Sequence, residues 1–379
     1  MKNNKLMKGL LPAAVSLAMI GQAQAAITVY DQDDTSFSVD GFFNTFYVTS
    51  DQEQNGQPDR SQSRVKMGFL PNYIGFNFAK KVDGLQLGGR SSFWVSINDS
   101  DVNRSVDAGG SGTASLIDVR QFYATVAGDF GEVLVGKDFG LFGRTSILSD
   151  EILMGYGQTI TTGLDGGNVS FGNIGTGYLY PMPNAQITYR TPDMGGFKLA
   201  VGLMDPNKSN GTSEESAPRI EAEATFGGDF DGGSYKVWLG AMTQSSEQPG
   251  GGGKVGSDGV AYGANVKFGG LSLTASGFQA DGIGNAGLGN LPTTNNGDVD
   301  GYLVQASYSF GSERIVASYG ENEGSTTGTG DNLDLENTTV AWFHSVNSNF
   351  TLVGEYSTSE QKSTTIEVDT IALGAVINF

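Results

Sequence analysis

Apolar and polar residues alternate one by one along most of the chain. Between residues 260 and 268 every second residue is apolar, whereas Gly263, Asn265 and Lys267 lie between them. The same period of two recurs in other segments, among them 85–97, 220–226 and 302–310. Because successive side chains of a strand point to opposite faces, each segment predicts a β-strand with one apolar and one wetted face. Helical spacing appears nowhere at useful length, so the pattern predicts an all-β fold.

Short and long connectors alternate between these strands. The seven short connectors are residues 82–84, 128–131, 191–196, 227–233, 269–270, 311–313 and 346–349. The eight long ones are 51–63, 99–116, 138–183, 205–218, 245–258, 280–299, 321–331 and 357–363. Fifteen connectors join sixteen strands. Short turns on one side and long loops on the other are typical of a transmembrane antiparallel β-barrel, so we predict a barrel of about sixteen strands.

The last strand has an apolar face that ends on the final residue. Its apolar parity comprises Ile371, Leu373, Ala375, Ile377 and Phe379. This face resembles the C-terminal signature by which outer-membrane barrels are recognised for assembly, which makes Ile377 and Phe379 candidate assembly residues. We expect the strand to pair with residues 37–47 and close the barrel, because closure leaves no free strand edge.

The first 25 residues have the order of a secretory signal peptide. Three lysines come first, residues 9–20 form an apolar run, and Ala23 and Ala25 occupy the positions that a signal peptidase reads. The run is too short for a transmembrane helix, which needs roughly 20 residues, although an N-terminal anchor is the alternative. We therefore predict a leader at residues 1–25, a barrel at residues 26–379 and export to the cell outer membrane.

Composition and charge narrow the possible functions. The 57 Gly, 22 Phe and 14 Tyr suit turns and interfacial aromatic girdles, and 38% hydrophobic residues are few for one large buried core. The formal net charge of −19 argues against nucleic acid as a partner, because phosphate binding needs clustered Lys and Arg. The chain has no Cys, so no disulfide can stabilise it.

With its strand count, elongated third loop and terminal Phe, the chain resembles the general porins of Gram-negative bacteria. The likeness is greatest in residues 117–143, where a strand, the turn Gly128-Asp129-Phe130-Gly131 and a strand ending in Gly136-Lys137 precede the long loop. The resemblance implies that residues 138–183 fold into the pore and narrow it, and that the protein is a homotrimer. The chain departs from the family at Lys137, where Arg is usual, and at residues 149–155, where many relatives carry a Pro-Glu-Phe-x-Gly-like stretch.

A diffusion channel needs a polar lumen and a constriction whose charges orient solutes. Strand parity and the resemblance predict a basic wall that faces an acidic loop across the pore. The basic wall is Arg64, Lys66, Arg90, Arg120 and Lys137, with Lys137 weakened by the apolar residues that share its parity. The acidic loop is Asp150 and Glu151, with Asp138 and Asp165 as weaker candidates.

Other chemistry has little support in the sequence. His344, the only histidine, lacks a motif that would make it a catalytic base. The acidic stretches 31–34 and 331–336 could meet Ca²⁺ or Mg²⁺ that bridges lipopolysaccharide phosphates, yet they lack an EF-hand pattern. We expect no cofactor and no dedicated metal site; the expected partners are small hydrophilic solutes and ions, with outer-membrane lipid and lipopolysaccharide around the barrel.

The leading hypothesis is a porin for passive diffusion of small hydrophilic solutes. A substrate-selective channel of the same fold is the first alternative. Sugar channels commonly carry an aromatic track, and parity places only Trp94 and Trp238 in the lumen. Further alternatives are an outer-membrane lipase or protease, which would require His344, and an adhesion barrel with a blocked lumen.

Overall fold

Eighteen strands make up almost all of the regular structure in the described part of the chain. The computed structural model describes residues 26–98, 117–161, 163–165, 168–208, 212–247, 253–283, 297–325 and 332–379; the predicted leader and the connector 99–116 lie outside these ranges. Within them the strands are β1 Ile27–Gln32, β2 Thr35–Gln54, β3 Arg60–Lys66, β4 Asn72–Val82, β5 Leu85–Val95, β6 Asp118–Gly128, β7 Gly131–Phe139, β8 Pro183–Arg190, β9 Phe197–Met204, β10 Arg219–Phe230, β11 Gly233–Glu247, β12 Lys254–Phe268, β13 Leu271–Asp281, β14 Asp298–Phe310, β15 Glu313–Ser325, β16 Asn332–Asn347, β17 Phe350–Gln361 and β18 Ile366–Asn378. One short helix, α1 Arg144–Leu148, and a 3₁₀ turn, Lys362–Thr364, accompany them.

The strands form one closed antiparallel sheet. From β4 to β18 each strand pairs with its neighbours in chain order, and β18 pairs with β2 to complete the circle. Strands β3 and β4 both pair with β2 and together make the second barrel strand, interrupted at residues 67–71. With β1 set aside as an extra strand, the described chain forms a sixteen-strand barrel. The predicted fold class is therefore confirmed.

The closing pair has a different register from the predicted one. Strand β18 pairs with residues 42–54 of β2, from Asn378 opposite Phe42 to Ile366 opposite Gln54. The lower part of that edge of β2 is taken by β1, which runs back along it from Gln32 to Ile27. The predicted pairing of the last strand with residues 37–47 therefore identified the correct partner strand. The observed pairing instead covers residues 42–54 of that strand. The sequence pattern did not reveal that residues 27–32 form a strand.

Outward positions are apolar and inward positions are mostly polar, as the alternation predicts. In β12, for example, Val260 and Tyr262 are exposed, whereas Ser257 and Ala261 are buried. Exposed rings cluster at the short-connector ends of several strands, among them Phe226, Phe230, Phe268, Tyr308 and Phe310, as expected for an aromatic girdle at a membrane interface. Among the described residues, no helix is long and apolar enough to cross a membrane.

The alternation of short and long connectors is confirmed, with shorter loops than predicted at several places. Strand β11 continues to Glu247 and β12 begins at Lys254, inside the predicted loop 245–258. Strand β17 likewise continues to Gln361, inside the predicted loop 357–363. Alternating polarity is weak in these extensions, because both faces of a strand that rises above the membrane are in water.

The terminal Phe379 is held against the first barrel strand. Its backbone N–H donates to the Gly41 carbonyl over 3.1 Å, and the Gly41 N–H donates back over 2.8 Å. The Phe379 ring stacks on Phe43 with centroids 5.9 Å apart. The ring also occupies the space beside Gly41, where an added Cβ would lie 2.5 Å from its edge. With the Phe379 ring in this position, residue 41 has no room for a side chain.

We predict that Gly41→Ala lowers the free energy of unfolding of the barrel by about 1–3 kcal/mol, because the new methyl group overpacks the Phe379 ring. The measurement is the temperature at which the purified protein loses its fast migration in unheated gel electrophoresis. Gly240→Ala is the matched control, since an added Cβ there has no atom closer than 3.8 Å. Equal midpoints for the two variants would contradict the proposed role of this contact.

Candidate functional site

The connector 140–182 is here called the inner loop, and its described residues (all but 162, 166 and 167) are bound to inward-facing side chains of the barrel wall. Two buried carboxylates on the wall hold backbone of this loop. Glu221 of β10 accepts hydrogen bonds from the N–H groups of Leu141 and Phe142, at 2.5 and 2.9 Å. Glu355 of β17 accepts from the N–H groups of residues 156 and 157, at 2.9 and 2.5 Å. Because buried N–H groups need partners, these carboxylates fix where the loop enters and crosses the lumen.

Asp150 is an anchor of the inner loop to the wall. Its carboxylate accepts hydrogen bonds from the Tyr178 hydroxyl at 2.5 Å, the Gln305 amide at 2.8 Å and the Asn173 amide at 3.0 Å. The side chain is 5% exposed. Burial raises the pKa of the Asp150 carboxyl, and these hydrogen bonds oppose that shift. Asp150 therefore faces donors on the loop and on β14.

Glu151 is bound to the same side of the barrel. Its carboxylate accepts hydrogen bonds from Ser272 of β13, at 2.7 Å, and from Ser307 of β14, at 3.1 Å. It also pairs with Arg314 of β15 at 3.1 Å. The prediction placed Asp150 and Glu151 opposite the basic wall with their charges toward the pore. Instead, both carboxylates point away from that wall and attach the loop to β13, β14 and β15.

Two members of the predicted basic wall are buried on the inner face. Arg90 of β5 forms an ion pair with Asp40 at 2.9 Å and donates to Gln121 at 2.8 Å. Lys66 of β3 donates to the main-chain carbonyl oxygen of Asp165 at 3.2 Å. Arg64 has the same inward parity as Lys66 and is exposed. Parity thus located these three side chains in the lumen, although Arg90 is already neutralised by a carboxylate.

Arg120 faces the lumen for a reason different from the one predicted. Parity predicts that Arg120 and Tyr123 lie on opposite faces of the same strand, with Tyr123 facing outward. In the structure Tyr123 is buried inside and Phe122 is 63% exposed. The register between β5 and β6 slips where Gln121 pairs with Ser92 and Val119 pairs with Phe93, which leaves Arg120 as the extra residue of a β-bulge. The bulge turns the guanidinium inward.

Three further assignments need correction or qualification. Lys137 was placed in the basic wall, but it pairs with Phe122 and Ala185, both exposed, and so has outward parity; that prediction was wrong. Asp138 was placed on the acidic loop, but it belongs to β7 and is 1% exposed, bound by Gln121 at 2.9 Å. Asp165 does lie on the inner loop, largely exposed and paired with Arg60 at 2.9 Å.

The sequence did not reveal a run of aromatic rings in the lumen. Tyr73 packs on Trp94 with centroids 4.5 Å apart, Trp94 on Phe139 at 6.1 Å, and Phe139 on Tyr180 of the inner loop at 6.0 Å. Arg120 lies over the Trp94 ring at 5.1 Å and donates to the Tyr180 hydroxyl at 2.9 Å. Strands β4, β5 and β7 supply one ring each, so no single segment of sequence shows the run.

A cavity of about 240 Å³ lies between the inner loop and the wall of β4, β5 and β6. Its lining includes these four rings, Arg90, Arg120, Arg144 and Asp118. The interruption of the second barrel strand contributes Met67, Phe69, Leu70 and Pro71. Pro71 and the glycine before Phe69 were the available sequence signal, because Pro within a strand pattern marks a break.

Carboxylates face one another across strands near the long-connector end of the barrel. One cross-strand row is made of directly paired residues on the outward face: Glu53, Glu367, Glu360, Glu336 and Glu321. Among the described residues, oxygens of Glu321, Asp334 and Glu336 approach within 4.8 Å of one another. Lys362 forms ion pairs with Asp334 and Glu336. We call the five paired glutamates the acidic row.

His344 lies on the outward side of β16 near the short-connector end. Its Nδ1 is 2.7 Å from a carboxylate oxygen of Glu313, and the Trp342 indole donates to the same carboxylate at 2.7 Å. Its ring stacks on Trp342 with centroids 5.8 Å apart. Nothing in this arrangement supplies a nucleophile in the part of the chain that the structure describes.

Comparison with known proteins gives a consistent family. The family model described as a Gram-negative porin matches residues 13–364. None of the curated proteins matches the sequence. The anion-selective porin of Comamonas acidovorans is structurally similar, with 16% identity, a TM-score of 0.64, and coverage of 91% of this chain and all of that one.

Two further solved structures are similar. The outer-membrane channel DcaP of Acinetobacter baumannii has 14% identity and a TM-score of 0.65, and the alignment covers 93% of this chain and 100% of the DcaP chain. OmpT of Vibrio cholerae, solved in a trimer form, has 16% identity and a TM-score of 0.53, with coverage of 92% and 100%. At these identities the structural likeness establishes the fold alone.

We predict that Asp150→Asn loosens the inner loop without a large change in ion selectivity. The variant replaces a charged acceptor of hydrogen bonds, each such bond contributing about 1.5–3 kcal/mol, but the lost charge is buried. The expected result is noisier single-channel current and an unchanged reversal potential. Asp165→Asn, at an exposed position of the same loop, should leave the current noise unchanged. A large shift of the reversal potential toward anions in Asp150→Asn would instead support the arrangement predicted from the sequence, in which Asp150 faces the basic wall across the pore.

Proposed function

The chain belongs to the Gram-negative porin family, and on this premise we propose that its diffusion path follows the cavity between the inner loop and the wall of β4, β5 and β6. The protein is a channel of the outer membrane through which small hydrophilic solutes and ions diffuse, and not an enzyme.

The anchoring of the inner loop supports this path. Its hydrogen bonds to Glu221, Gln305 and Glu355 hold it against β10, β14 and β17. Toward β4, β5 and β6 the cavity separates it from much of the wall. The loop therefore narrows the lumen from one side and leaves room at the other. In this proposal Arg90 and Arg120 line the narrow part, and Asp150 and Glu151 shape it by holding the loop.

Basic side chains of β3 precede this narrow part on the long-connector side. Arg60, Arg64 and Lys66 share inward parity, since their partners on β2 include the buried Val48 and Phe46. Among the described residues of the inner loop, the Asp165 carboxylate pairs with Arg60, and the Asp165 main-chain carbonyl accepts a hydrogen bond from Lys66. Among the described residues, these three cations and one anion give this part of the lumen a positive potential, which favours anions. We infer a modest preference for anions over cations, although the chain as a whole is acidic.

We predict that Arg64→Gln shifts the reversal potential toward cations in planar bilayers under a KCl gradient. The guanidinium is exposed in the lumen, so its removal lowers the local positive potential, more strongly at low salt than at high salt. Lys80→Gln is the control, because it removes one positive charge from an exposed outward position at the short-connector end. An unchanged reversal potential in Arg64→Gln would place this residue outside the conducting path.

We propose in addition how the chain is exported and assembled. Residues 1–25 act as a cleaved leader, and residues 26–379 are the mature chain. We also propose a homotrimer, supported by family membership and by the trimer form in which OmpT of Vibrio cholerae was solved. Cross-linking in the outer membrane, which should give a species of three chains, tests the trimer.

We further propose that the outward surface meets lipid through its apolar band and lipopolysaccharide through the acidic row. Like charges directly opposite each other in a sheet are destabilising. In this proposal, divalent cations between the row and lipopolysaccharide phosphates relieve the repulsion, because hard cations favour oxygen ligands of both kinds. Lys362 offsets part of the charge near Glu336.

We predict that Mg²⁺ raises the unfolding temperature of the protein and that Glu336→Gln with Glu360→Gln removes most of this effect. The double variant should also be more stable than the unchanged protein in EDTA, since it removes opposed charges. Asp229→Asn with Asp231→Asn, at exposed positions around a short connector, is the matched control. The same Mg²⁺ dependence in both double variants would show that the acidic row is not responsible.

A further inference from the structure

The cavity between the inner loop and β4–β6 is unlike a simple water-filled constriction. Apolar side chains predominate in its lining, and the rings of Tyr73, Trp94, Phe139 and Tyr180 border it. Its volume of about 240 Å³ is slightly below the roughly 300–1,000 Å³ of typical small-molecule sites. Such a space suits a solute built around one small ring.

The charged groups of the cavity are unequally distributed. The lining includes the guanidinium groups of Arg90, Arg120 and Arg144. Asp40 and Asp138 pair with Arg90 and Arg144, at 2.9 and 3.2 Å. Neither of these two carboxylates lines the cavity, whereas the arginine that each one pairs with does. The surface that a solute meets is therefore richer in cationic than in anionic groups.

Arg120 is the most accessible of these arginines. About a quarter of its side chain is exposed, against a tenth or less for Arg90 and Arg144. Its partner Asp118 is 54% exposed, so solvent weakens this ion pair. The guanidinium plane is held by Trp94 and by the Tyr180 hydroxyl. A planar, fixed guanidinium beside apolar rings is suited to a carboxylate attached to a ring, because Arg binds carboxylates with two parallel hydrogen bonds.

We propose that this cavity is a binding subsite for small organic anions with an aromatic body, such as ring monocarboxylates. The carboxylate lies against Arg120 and displaces Asp118, and the ring packs among Tyr73, Trp94 and Phe139. The inference rests on the diffusion path proposed above and assigns a preferred solute class to it. It also reverses the expectation drawn from parity, which found too few lumen aromatics for a selective channel.

The test uses the full-length protein in planar bilayers with KCl as the carrier electrolyte. Benzoate is the probe, acetate lacks the ring, benzylammonium reverses the charge, and glucose is a neutral ring. We expect benzoate to interrupt the single-channel current in a concentration-dependent way, with at least tenfold weaker interruption by the other three. Equal effects of benzoate and acetate would overturn the role of the rings, and interruption by glucose or benzylammonium at benzoate concentrations would overturn the role of the charge.

Variants separate the two parts of the site. Arg120→Gln and Trp94→Leu should each weaken benzoate interruption about tenfold or more, and Lys80→Gln should leave it unchanged. Tyr180→Leu replaces Trp94→Leu if that variant loses its folded mobility in unheated gels. Unaltered interruption in Arg120→Gln would contradict the inference. A protein that carries no KCl current would contradict the proposed path itself, whereas a conducting protein that ignores benzoate contradicts the subsite alone.

Discussion

The rest of the structure depends on closure of the sheet between β2 and β18. Within lipid, a backbone N–H or C=O has no water to bind, so a spanning sheet must pair every strand on both sides. The register from Asn378 opposite Phe42 to Ile366 opposite Gln54 achieves this, and β1 covers the edge of β2 that β18 does not reach. Closure fixes the circumference of the barrel and creates an interior too wide for short wall side chains to fill.

That interior is occupied by the inner loop, and the loop explains the unusual inward residues. Wall strands that only face water need no buried carboxylate or aromatic ring. Here Glu221 and Glu355 satisfy loop N–H groups, and Asp150 collects donors from the loop and from β14. Because these carboxylates accept hydrogen bonds from the loop, they do not act as free charges in a conducting gap. Most of the hydrogen bonds that anchor the loop go to β10 and to β13–β17, fewer go to β3 and β6, and the remaining space lies along β4, β5 and β6.

The arginines that line the cavity differ in how accessible they are. Arg90 and Arg144 are neutralised by carboxylates behind them, whereas Arg120 sits on a β-bulge with a solvent-exposed partner. A bulge inserts one residue and re-aims the side chain. The accessible cation of the cavity is thus a product of one local irregularity. The outward acidic row is a separate electrostatic feature, set by cross-strand register near the long-connector end of the barrel.

The sequence by itself determined the barrel, its strand count, its outward face and the alternation of connectors, because a period of two and turn spacing are local properties. It also determined that Arg64, Lys66 and Arg90 point inward, since their strands keep regular parity. Only the tertiary structure decided the rest. Regular parity fails at the bulge of Arg120, Asp150 meets Gln305 across 155 positions of sequence, and the aromatic run joins three strands and a loop. Such contacts depend on barrel register and loop placement, and no local periodicity encodes them.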